Sequence, residues 1–426
     1  MATSLRAAGA QCRRIGFNRA DALFWGSGDY QAFGGSLEDW PERFKSEVTA
    51  QGTTDLVLYG DTRPLHASAL KIARRLGLAC HVFEEGYIRP YWVTYERGGA
   101  NGHSRALGFS MNEMARHLGA PGGGPSTALG DVPAHWGDMR EHIFWGAVYH
   151  ACLLAGSKAY PHYRGHRCLT VPEEFRLYLR RLGLLAPQIA ERWYATGRLR
   201  QRAPAYHLVL LQLAHDESFR RHGPFETQEA FLRTVMRGFS EGARKDHHLV
   251  FKAHPLEDGR NPVRRMIAAL AAEQGLARRV HYIRGGKLAG LLNGTRSAVT
   301  VNSTAAHQAL WRGLPVKAFG QSVYSRTSIV SSQSLPAFFA EPDAPDPMAY
   351  AILRAFLLAT SQVPGGYYSS GGRRRLMEAI TKRVLSPVDP YDYAAIGHAA
   401  NWQHSTTPAL SGGDIALAFS PNSDSL

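Results

Sequence analysis

The stretch Leu208-Val-Leu-Leu-Gln-Leu-Ala-His-Asp216 joins an apolar run to polar residues. Its first four residues form a short continuous apolar run, which is typical of a strand buried on both faces of a parallel sheet. Gln212 and Asp216 follow the predicted carboxyl end of that strand. Because ligands of open α/β sheets bind outside the carboxyl ends of strands, the stretch predicts both an α/β fold and the position of a site.

Strand-like runs recur after this stretch. Leu249-Val-Phe251 predicts a neighbouring strand, and Lys252 and His254 follow it in a Lys-Ala-His-Pro turn. Further strand-like runs alternate with helical segments as far as Phe319. Five strands in this rhythm predict a parallel sheet, because parallel neighbours need a crossover connection that is usually a helix.

The first half of the chain alternates in the same way. Asp55 to Tyr59 predict a strand, Pro64 to Leu76 an amphipathic helix, and Ala79 to Phe83 a second strand. This βαβ unit predicts another parallel sheet. Glu84 and Glu85 are then expected in the loop at the carboxyl end of the second strand.

Composition narrows the class of protein. The 426 residues are 44% hydrophobic and 20% charged, which suits two globular domains. Lys and Arg exceed Asp and Glu by 49 − 35 = 14, which favours an anionic partner such as a nucleic acid, a membrane surface or an anionic substrate. We expect no nucleic-acid binding, since no reader motif is present. The four cysteines lack the spacing of a zinc site or a disulfide framework, and we expect no metal.

The sequence also predicts a cellular location. No run reaches the eighteen or so apolar residues of a membrane span, and no apolar segment follows the first basic residue as in a signal peptide. We therefore expect a cytoplasmic protein that rests peripherally on a membrane. Tyr160 to Arg167 interleave aromatic and basic side chains, so they are either a contact with anionic lipid headgroups or a solvated basic loop.

Six stretches, taken together, resemble the capsule polysaccharide biosynthesis and export family of the KpsS/LipB type. The element Phe-Glu-Glu-Gly-Tyr-x-Arg-Pro is the most specific of them. The stretches are Leu58-Tyr-Gly-Asp-Thr-Arg-Pro-Leu-His66, His81-Val-Phe-Glu-Glu-Gly-Tyr-Ile-Arg-Pro90, Gly98-Gly-Ala-Asn-Gly-His-Ser104, Gln212 through Phe225, Phe251-Lys-Ala-His-Pro255 and Val301-Asn-Ser-Thr-Ala-Ala306.

The resemblance implies an architecture. It is the GT-B type of glycosyltransferase, in which two Rossmann-like domains face each other across a cleft, here with helical additions. We expect an acceptor domain with a helical insertion in residues 1–200, a nucleotide-sugar domain in 201–345, closing helices in 346–400 and a disordered tail in 401–426. Family members begin with a strand ahead of the helix that corresponds to Ala2 to Ala8, so the first strand is expected to be missing.

The resemblance also implies a reaction. It is the transfer of the sugar acid Kdo from CMP-Kdo, with retention, to a (lyso)phosphatidylglycerol-type lipid, which starts the poly-Kdo linker of a capsular polysaccharide. The partners are the donor, the lipid acceptor, the inner face of the cytoplasmic membrane and a capsule biosynthesis or export complex, and no cofactor is expected. The alternative is a non-catalytic, membrane-associated scaffold for polysaccharide export.

Three acids are candidates for the chemistry. By resemblance, Asp216 in a Gln-x-x-x-Asp pattern is the nucleophile of a double displacement, and the alternative is a helix N-cap. Glu85 or Glu84 is the candidate base for the acceptor hydroxyl, with Glu85 slightly favoured. The alternative is that one of the two glutamates pairs with Arg89 or Arg63.

Other residues are candidates for binding. Lys252 and His254 are predicted to stabilise the departing nucleotide, although a His-Pro turn is also a common structural corner. The segment Asn302-Ser303-Thr304 is predicted to bind an anion at a helix N-terminus capped by Ser303 or Thr304, or to cap the helix and no more. The remaining predicted substrate-binding residues are Gln212, Asp61, Arg63 and Arg89.

Overall fold

The computed structural model describes residues 1–26, 28–118, 139–154, 160–162, 185–202, 205–214, 217–254, 261–285 and 287–395, together with residues 173, 176, 177, 183 and 257. The helices are α1 (Ala2–Ala7), α2 (Arg19–Trp25), α3 (Trp40–Ala50), α4 (Pro64–Arg75), α5 (Met111–His117), α6 (Met139–Leu154), α7 (Leu185–Arg202), α8 (Glu217–His222), α9 (Gln228–Gly242), α10 (Val263–Glu273), α11 (Leu288–Leu292), α12 (Ala306–Leu310), α13 (Leu335–Ala340), α14 (Pro347–Thr360), α15 (Ser370–Leu385) and α16 (Pro390–Ala395).

The strands form three sheets within the described part of the chain. They are β1 (Arg14–Gly16), β2 (Tyr30–Ala32), β3 (Asp55–Tyr59), β4 (Ala79–Glu85), β5 (Trp92–Arg97), β6 (Tyr206–Leu210), β7 (His248–Lys252), β8 (Val280–Ile283), β9 (Thr295–Thr300), β10 (Val316–Ala318) and β11 (Gln362–Pro364).

The C-terminal sheet is parallel throughout, in the order β10-β9-β6-β7-β8. Successive residues of β6 point to opposite faces of the sheet, and both faces are covered. Leu208 and Leu210 pack in a core that includes α11, α12 and α14. Val209 packs with α9, α10 and α13 on the other side. This double burial explains the continuous apolar run in the sequence.

The N-terminal sheet has the order β11-β5-β4-β3 and is mixed. β3 and β4 pair in parallel across α4, so the predicted βαβ unit is confirmed. β5 and β11 are antiparallel to their neighbours. β1 and β2 form a separate two-stranded parallel sheet. The predicted α/β class is therefore confirmed, with one parallel and one mixed main sheet.

The position predicted for the two glutamates after β4 was wrong. Glu84 and Glu85 are the last residues of β4, where they pair with Thr94 and Val93 of β5. The antiparallel partner β5, which the sequence did not suggest, extends β4 by these two residues. Both side chains therefore have strand geometry.

The segment after α14 returns to the N-terminal sheet. β11 pairs with β5 at the edge of the sheet, and α15 packs with α1 against its face. Residues 346–400, predicted as closing helices, therefore also supply a strand.

The predicted tail, 401–426, lies outside the described residues. In the part of the chain that the structure describes, no helix is long and apolar enough to cross a membrane.

Candidate functional site

Two predicted residues, Gln212 and Asn302, bind each other at the carboxyl end of the C-terminal sheet. Gln212 Nε2 donates to Asn302 Oδ1 at 2.6 Å, and the Asn302 amide donates to Gln212 Oε1 at 3.1 Å. Gln228 Nε2 holds the Gln212 carbonyl at 2.9 Å. Both side chains are buried, so the pair ties the ends of β6 and β9 together.

Lys252 and His254 lie at the end of the neighbouring strand. The Leu211 amide donates to the Lys252 carbonyl at 3.0 Å, which places the ends of β6 and β7 side by side. The Lys252 side chain is buried, and its Nζ donates to the Ala253 carbonyl at 3.1 Å. The structure thus brings Gln212, Lys252 and His254 to one edge of the sheet, as predicted from their positions after strands.

The segment Asn302-Ser303-Thr304 follows β9, but the predicted helix cap was wrong. α12 begins at Ala306, and Ala305 is its N-cap residue without a side-chain capping bond. Ser303 Oγ accepts from the Ala305 amide at 3.3 Å and so closes a turn ahead of the helix. Tyr324 holds the Ser303 carbonyl at 2.7 Å. The anion-binding role of the segment stays a prediction.

Asp216 lies outside the described residues. The structure describes the chain up to Ala214 and again from Glu217, where α8 begins. The role of Asp216 as nucleophile, and its alternative as a helix cap, both stay predictions.

The two glutamates at the end of β4 have different surroundings. Glu84 is mostly buried and lies 3.3 Å from the position that a Cβ on Gly60 would take, so the glycine leaves room for its carboxylate. Burial raises the pKa of Glu84 to about 7, against a smaller lowering by Arg63. A carboxyl group with this pKa is suited to take up a proton near neutral pH.

Glu85 is occupied by neighbours instead. Its carboxylate accepts from the hydroxyls of Tyr368 and of Tyr59, the latter at 3.3 Å, and lies 4.0 Å from the Arg89 guanidinium. Glu85 therefore lies within ion-pair distance of Arg89, and its role as base or as structural partner stays a prediction. Arg63 stacks over the Tyr59 ring, with Cζ 5.6 Å from the ring centroid.

Asp61 holds a histidine that the sequence reasoning did not select. Its buried Oδ2 lies 3.0 Å from His103 Nδ1 and accepts from the Ala100 amide at 3.0 Å. Burial keeps Asp61 from presenting its carboxylate directly to a ligand, whereas His103 is exposed. His103 lies in Gly98 to Ser104, one of the stretches that resemble the family, and that resemblance could have identified it as a candidate site residue.

The ends of the two sheets meet at His103. Its ring is 5.1 Å from that of His222 in α8, in an edge-to-face arrangement. A Cβ added at Gly102 would lie 2.4 Å from the His222 ring, so the approach requires a glycine there. The turn after β5 and α8 are therefore in direct contact.

A buried carboxylate, Glu96, supports this turn. It accepts from Tyr87 at 2.8 Å, from Tyr391 at 3.0 Å, from the Ser104 hydroxyl at 2.7 Å and from the Arg105 amide at 3.1 Å. Burial raises its pKa to about 7, and these hydrogen bonds oppose that rise. Glu96 is enclosed by its donors, so we assign it to holding the turn.

Among the described residues, no group of three or more His, Cys, Asp or Glu side chains could hold a metal ion. The absence of a metal from the reaction stays a prediction, since Asp216 is outside these residues.

Comparisons with known proteins agree with the motifs. A family model described as "Capsule polysaccharide biosynthesis protein" matches residues 54–368. The Capsule polysaccharide export protein KpsS of Escherichia coli is 27% identical over 367 residues, which cover 85% of this chain and 92% of that protein. The Capsule polysaccharide modification protein LipB of Neisseria meningitidis serogroup B is 28% identical over 383 residues, 87% of this chain and 88% of that protein.

Among solved structures, the chain is similar to a β-Kdo 2,7 transferase, KpsC of Thermosulfurimonas dismutans. The match has a TM-score of 0.36 and 12% sequence identity, and covers 80% of this chain and 88% of that chain.

Proposed function

The chain belongs to the capsule polysaccharide biosynthesis protein family, and from this premise we propose that it is a retaining glycosyltransferase. It would transfer Kdo from CMP-Kdo to a (lyso)phosphatidylglycerol-type lipid at the inner face of the cytoplasmic membrane. The product would be the start of the poly-Kdo linker of a capsular polysaccharide. The identities of donor and acceptor rest on the motif resemblance.

The contact between His103 and His222 is the observation that carries this proposal. It joins the turn that Asp61 holds in the N-terminal half to α8, the helix that follows Gln212 in the C-terminal half. A transferase needs donor and acceptor groups at one place, because holding reactants together supplies much of the catalysis.

The chemistry would proceed in two displacements. In the first, an Asp216 oxygen bonds to the anomeric carbon of Kdo while the bond from that carbon to the CMP phosphate oxygen breaks, and CMP leaves with the electron pair. Lys252 and His254 would stabilise the charge that develops on CMP. In the second, the acceptor oxygen attacks the same carbon, its proton passes to the base, and the Asp216 carboxylate is released. Two inversions give retention.

We assign the base to Glu84 rather than to Glu85. The Glu84 carboxyl has a pKa of about 7 and is therefore partly ionised at neutral pH. Glu85 accepts hydrogen bonds from two tyrosines and faces Arg89, an arrangement that suits a structural role.

The alternative is a non-catalytic scaffold for polysaccharide export. The name of the Escherichia coli relative, an export protein, favours it. A scaffold needs neither a nucleophile nor a base. A measurement of Kdo transfer therefore distinguishes the transferase from the scaffold.

The test is a transfer assay with purified protein, CMP-Kdo generated in situ and a fluorescent lysophosphatidylglycerol, in the presence of EDTA. We expect a product heavier by one Kdo, absent with Asp216→Ala and unchanged with Asp246→Ala, a substitution at an exposed position after α9. A folded wild-type protein that forms no product would overturn the proposal in favour of the scaffold.

A further inference from the structure

Helices α2 and α6 expose a group of large apolar side chains, which we call the α2–α6 patch. Leu23 is 59% exposed, Phe24 45%, Phe144 60% and Trp145 47%. The Phe24 ring lies 5.8 Å from that of Trp145, and the Phe144 and Trp145 rings are 5.2 Å apart. Exposed apolar side chains gathered in one place, rather than scattered singly, mark an interaction surface.

Arginines border the patch on two sides. Arg6 and Arg14 stack on Trp25 at the end of α2. Arg19 is exposed at the start of α2, and Arg374 and Arg375 are exposed on the first turns of α15. The acids of the two patch helices are already paired, Asp21 with Arg14 and Glu141 with Arg373. Because Asp21 offsets the charge of Arg14, the positive charge beside the patch comes from Arg6, Arg19, Arg374 and Arg375, and it complements an anionic surface.

The patch connects to the proposed base through direct contacts. Glu141 lies one helical turn before Trp145 and accepts from the Ser370 amide at 3.0 Å, besides its pair with Arg373. Arg373 donates to the Tyr367 carbonyl at 3.1 Å, and the Tyr367 hydroxyl donates to the Glu84 carbonyl at 3.4 Å. These contacts link α6, which carries part of the patch, to the end of β4, which carries Glu84.

We propose that the α2–α6 patch docks on an anionic lipid bilayer and delivers the lipid acceptor from it to Glu84. Aromatic side chains beside arginines suit the membrane interface, because the rings enter the headgroup region while the guanidinium groups meet anionic headgroups. Delivery of the acceptor rests on the proposed transferase function, whereas docking does not.

The experiment compares sedimentation of the full chain with vesicles of phosphatidylglycerol and phosphatidylcholine. The patch variant is Phe24→Ser with Trp145→Ser. Its matched control is Trp193→Ser with Tyr194→Ser on α7, where the side chains are 83% and 66% exposed. Circular dichroism should match wild type for both, because the altered side chains are exposed.

We expect wild type and control to sediment with these vesicles, less at high salt and less with phosphatidylcholine alone. The patch variant should partition at least about tenfold more weakly, since two aromatic anchors are lost. It should keep the wild-type transfer rate with a short-chain, water-soluble acceptor and lose most of the rate with an acceptor embedded in vesicles.

Docking is overturned if wild type does not sediment, if the control is the variant that loses binding, or if the patch variant sediments as wild type does. That last result would make the patch a protein contact. Equal loss with the soluble acceptor would overturn the delivery role. If binding depends on the patch but no acceptor gains Kdo, docking stands and the transferase proposal fails.

Discussion

At the scale of single residues, three carboxylates of the N-terminal sheet, those of Glu84, Glu85 and Glu96, differ in the number of hydrogen-bond donors around them. Glu85 accepts from two tyrosine hydroxyls and Glu96 from four residues, whereas the Glu84 carboxylate accepts from the Glu85 amide at 3.2 Å. Burial raises the pKa of both Glu84 and Glu96 to about 7. Glu84 is partly exposed whereas Glu96 is 1% exposed, so the two should respond differently to substitution.

Glu84→Gln should lower kcat by about 10²- to 10⁴-fold, because the amide cannot accept the proton of the acceptor hydroxyl. The ionised carboxylate is the active form, so the wild-type rate should rise with pH through about 7. The variant should lose that rise. A pH–rate profile of the transfer reaction measures both effects, with Glu85→Gln as the control that keeps the profile.

A wild-type profile that is flat between pH 6 and 8 would remove Glu84 from the role of base, since a group with a pKa of about 7 titrates in that range.

Glu96→Ala should lower the free energy of unfolding by roughly 2–4 kcal/mol, since it leaves several buried donors without an acceptor. The wild-type protein should also show a pH effect. Because the folded pKa, about 7, lies above the ordinary 4.5, the folded state binds the proton more tightly, and this contribution to stability falls as pH rises from 4.5 to 7.

Denaturant unfolding across that pH range measures the effect, and Glu96→Gln, which cannot titrate, should show a smaller one, because Glu84 still titrates near pH 7. An unchanged pH dependence in Glu96→Gln would contradict this origin.

At the scale of elements, apolar runs made the strands of the C-terminal sheet predictable, whereas the sequence did not predict β1, β2, β5 and β11. β6 and β7 are buried on both faces, and each contains a run of three apolar residues, Leu208 to Leu210 and Leu249 to Phe251. β5 buries Thr94 and Glu96 beside Val93 and Tyr95, and those polar residues interrupt the apolar pattern. β11 has three residues and ends in a proline, so its strand state depends on pairing with β5.

Part of the candidate site could likewise be predicted from the sequence. Gln212, Lys252 and Asn302 could be placed together because each follows a strand of one parallel sheet. The contact of Asp61 with His103 could not, because 42 positions separate them and only the folded turn brings them together. The choice between Glu84 and Glu85 depends on Tyr368, which the chain supplies 283 positions after Glu85.

Among the contacts between elements, the one between the turn Asn101–His103 and α8 is the contact whose disturbance we expect to lower the transfer rate. Gly102→Ala would place a Cβ 2.4 Å from the His222 ring, so the ring or the turn has to move and their contact changes. Misplacement of about 1 Å costs on the order of 100-fold in rate, so we expect kcat to fall by at least tenfold.

Gly108→Ala is the matched control, because nothing lies within 4 Å of its added Cβ. Transfer rates and thermal unfolding of the two variants are to be compared. Equal rates would show that the contact does not position catalytic groups.

At the scale of the whole molecule, the chain crosses from the N-terminal sheet to the C-terminal one and back. α14 packs against the C-terminal sheet, and β11 and α15 then complete the N-terminal one. Arg326 links the halves again, since its guanidinium donates to the carbonyls of Ala106 and Phe109, each at 2.7 Å. The stability of the N-terminal half therefore depends on residues near position 380.

Ile380→Ala tests that dependence. Ile380 is fully buried with Leu5, Phe83 and Tyr95, so the substitution should lower the free energy of unfolding by about 2–5 kcal/mol. Leu385→Ala, at a 44% exposed position of the same helix, should change it by less than about 0.5 kcal/mol. Hydrogen exchange should accelerate in β3 to β5 and less in β6 to β9, because the lost contacts belong to the N-terminal core. Faster exchange in the C-terminal sheet alone would contradict this assignment of α15.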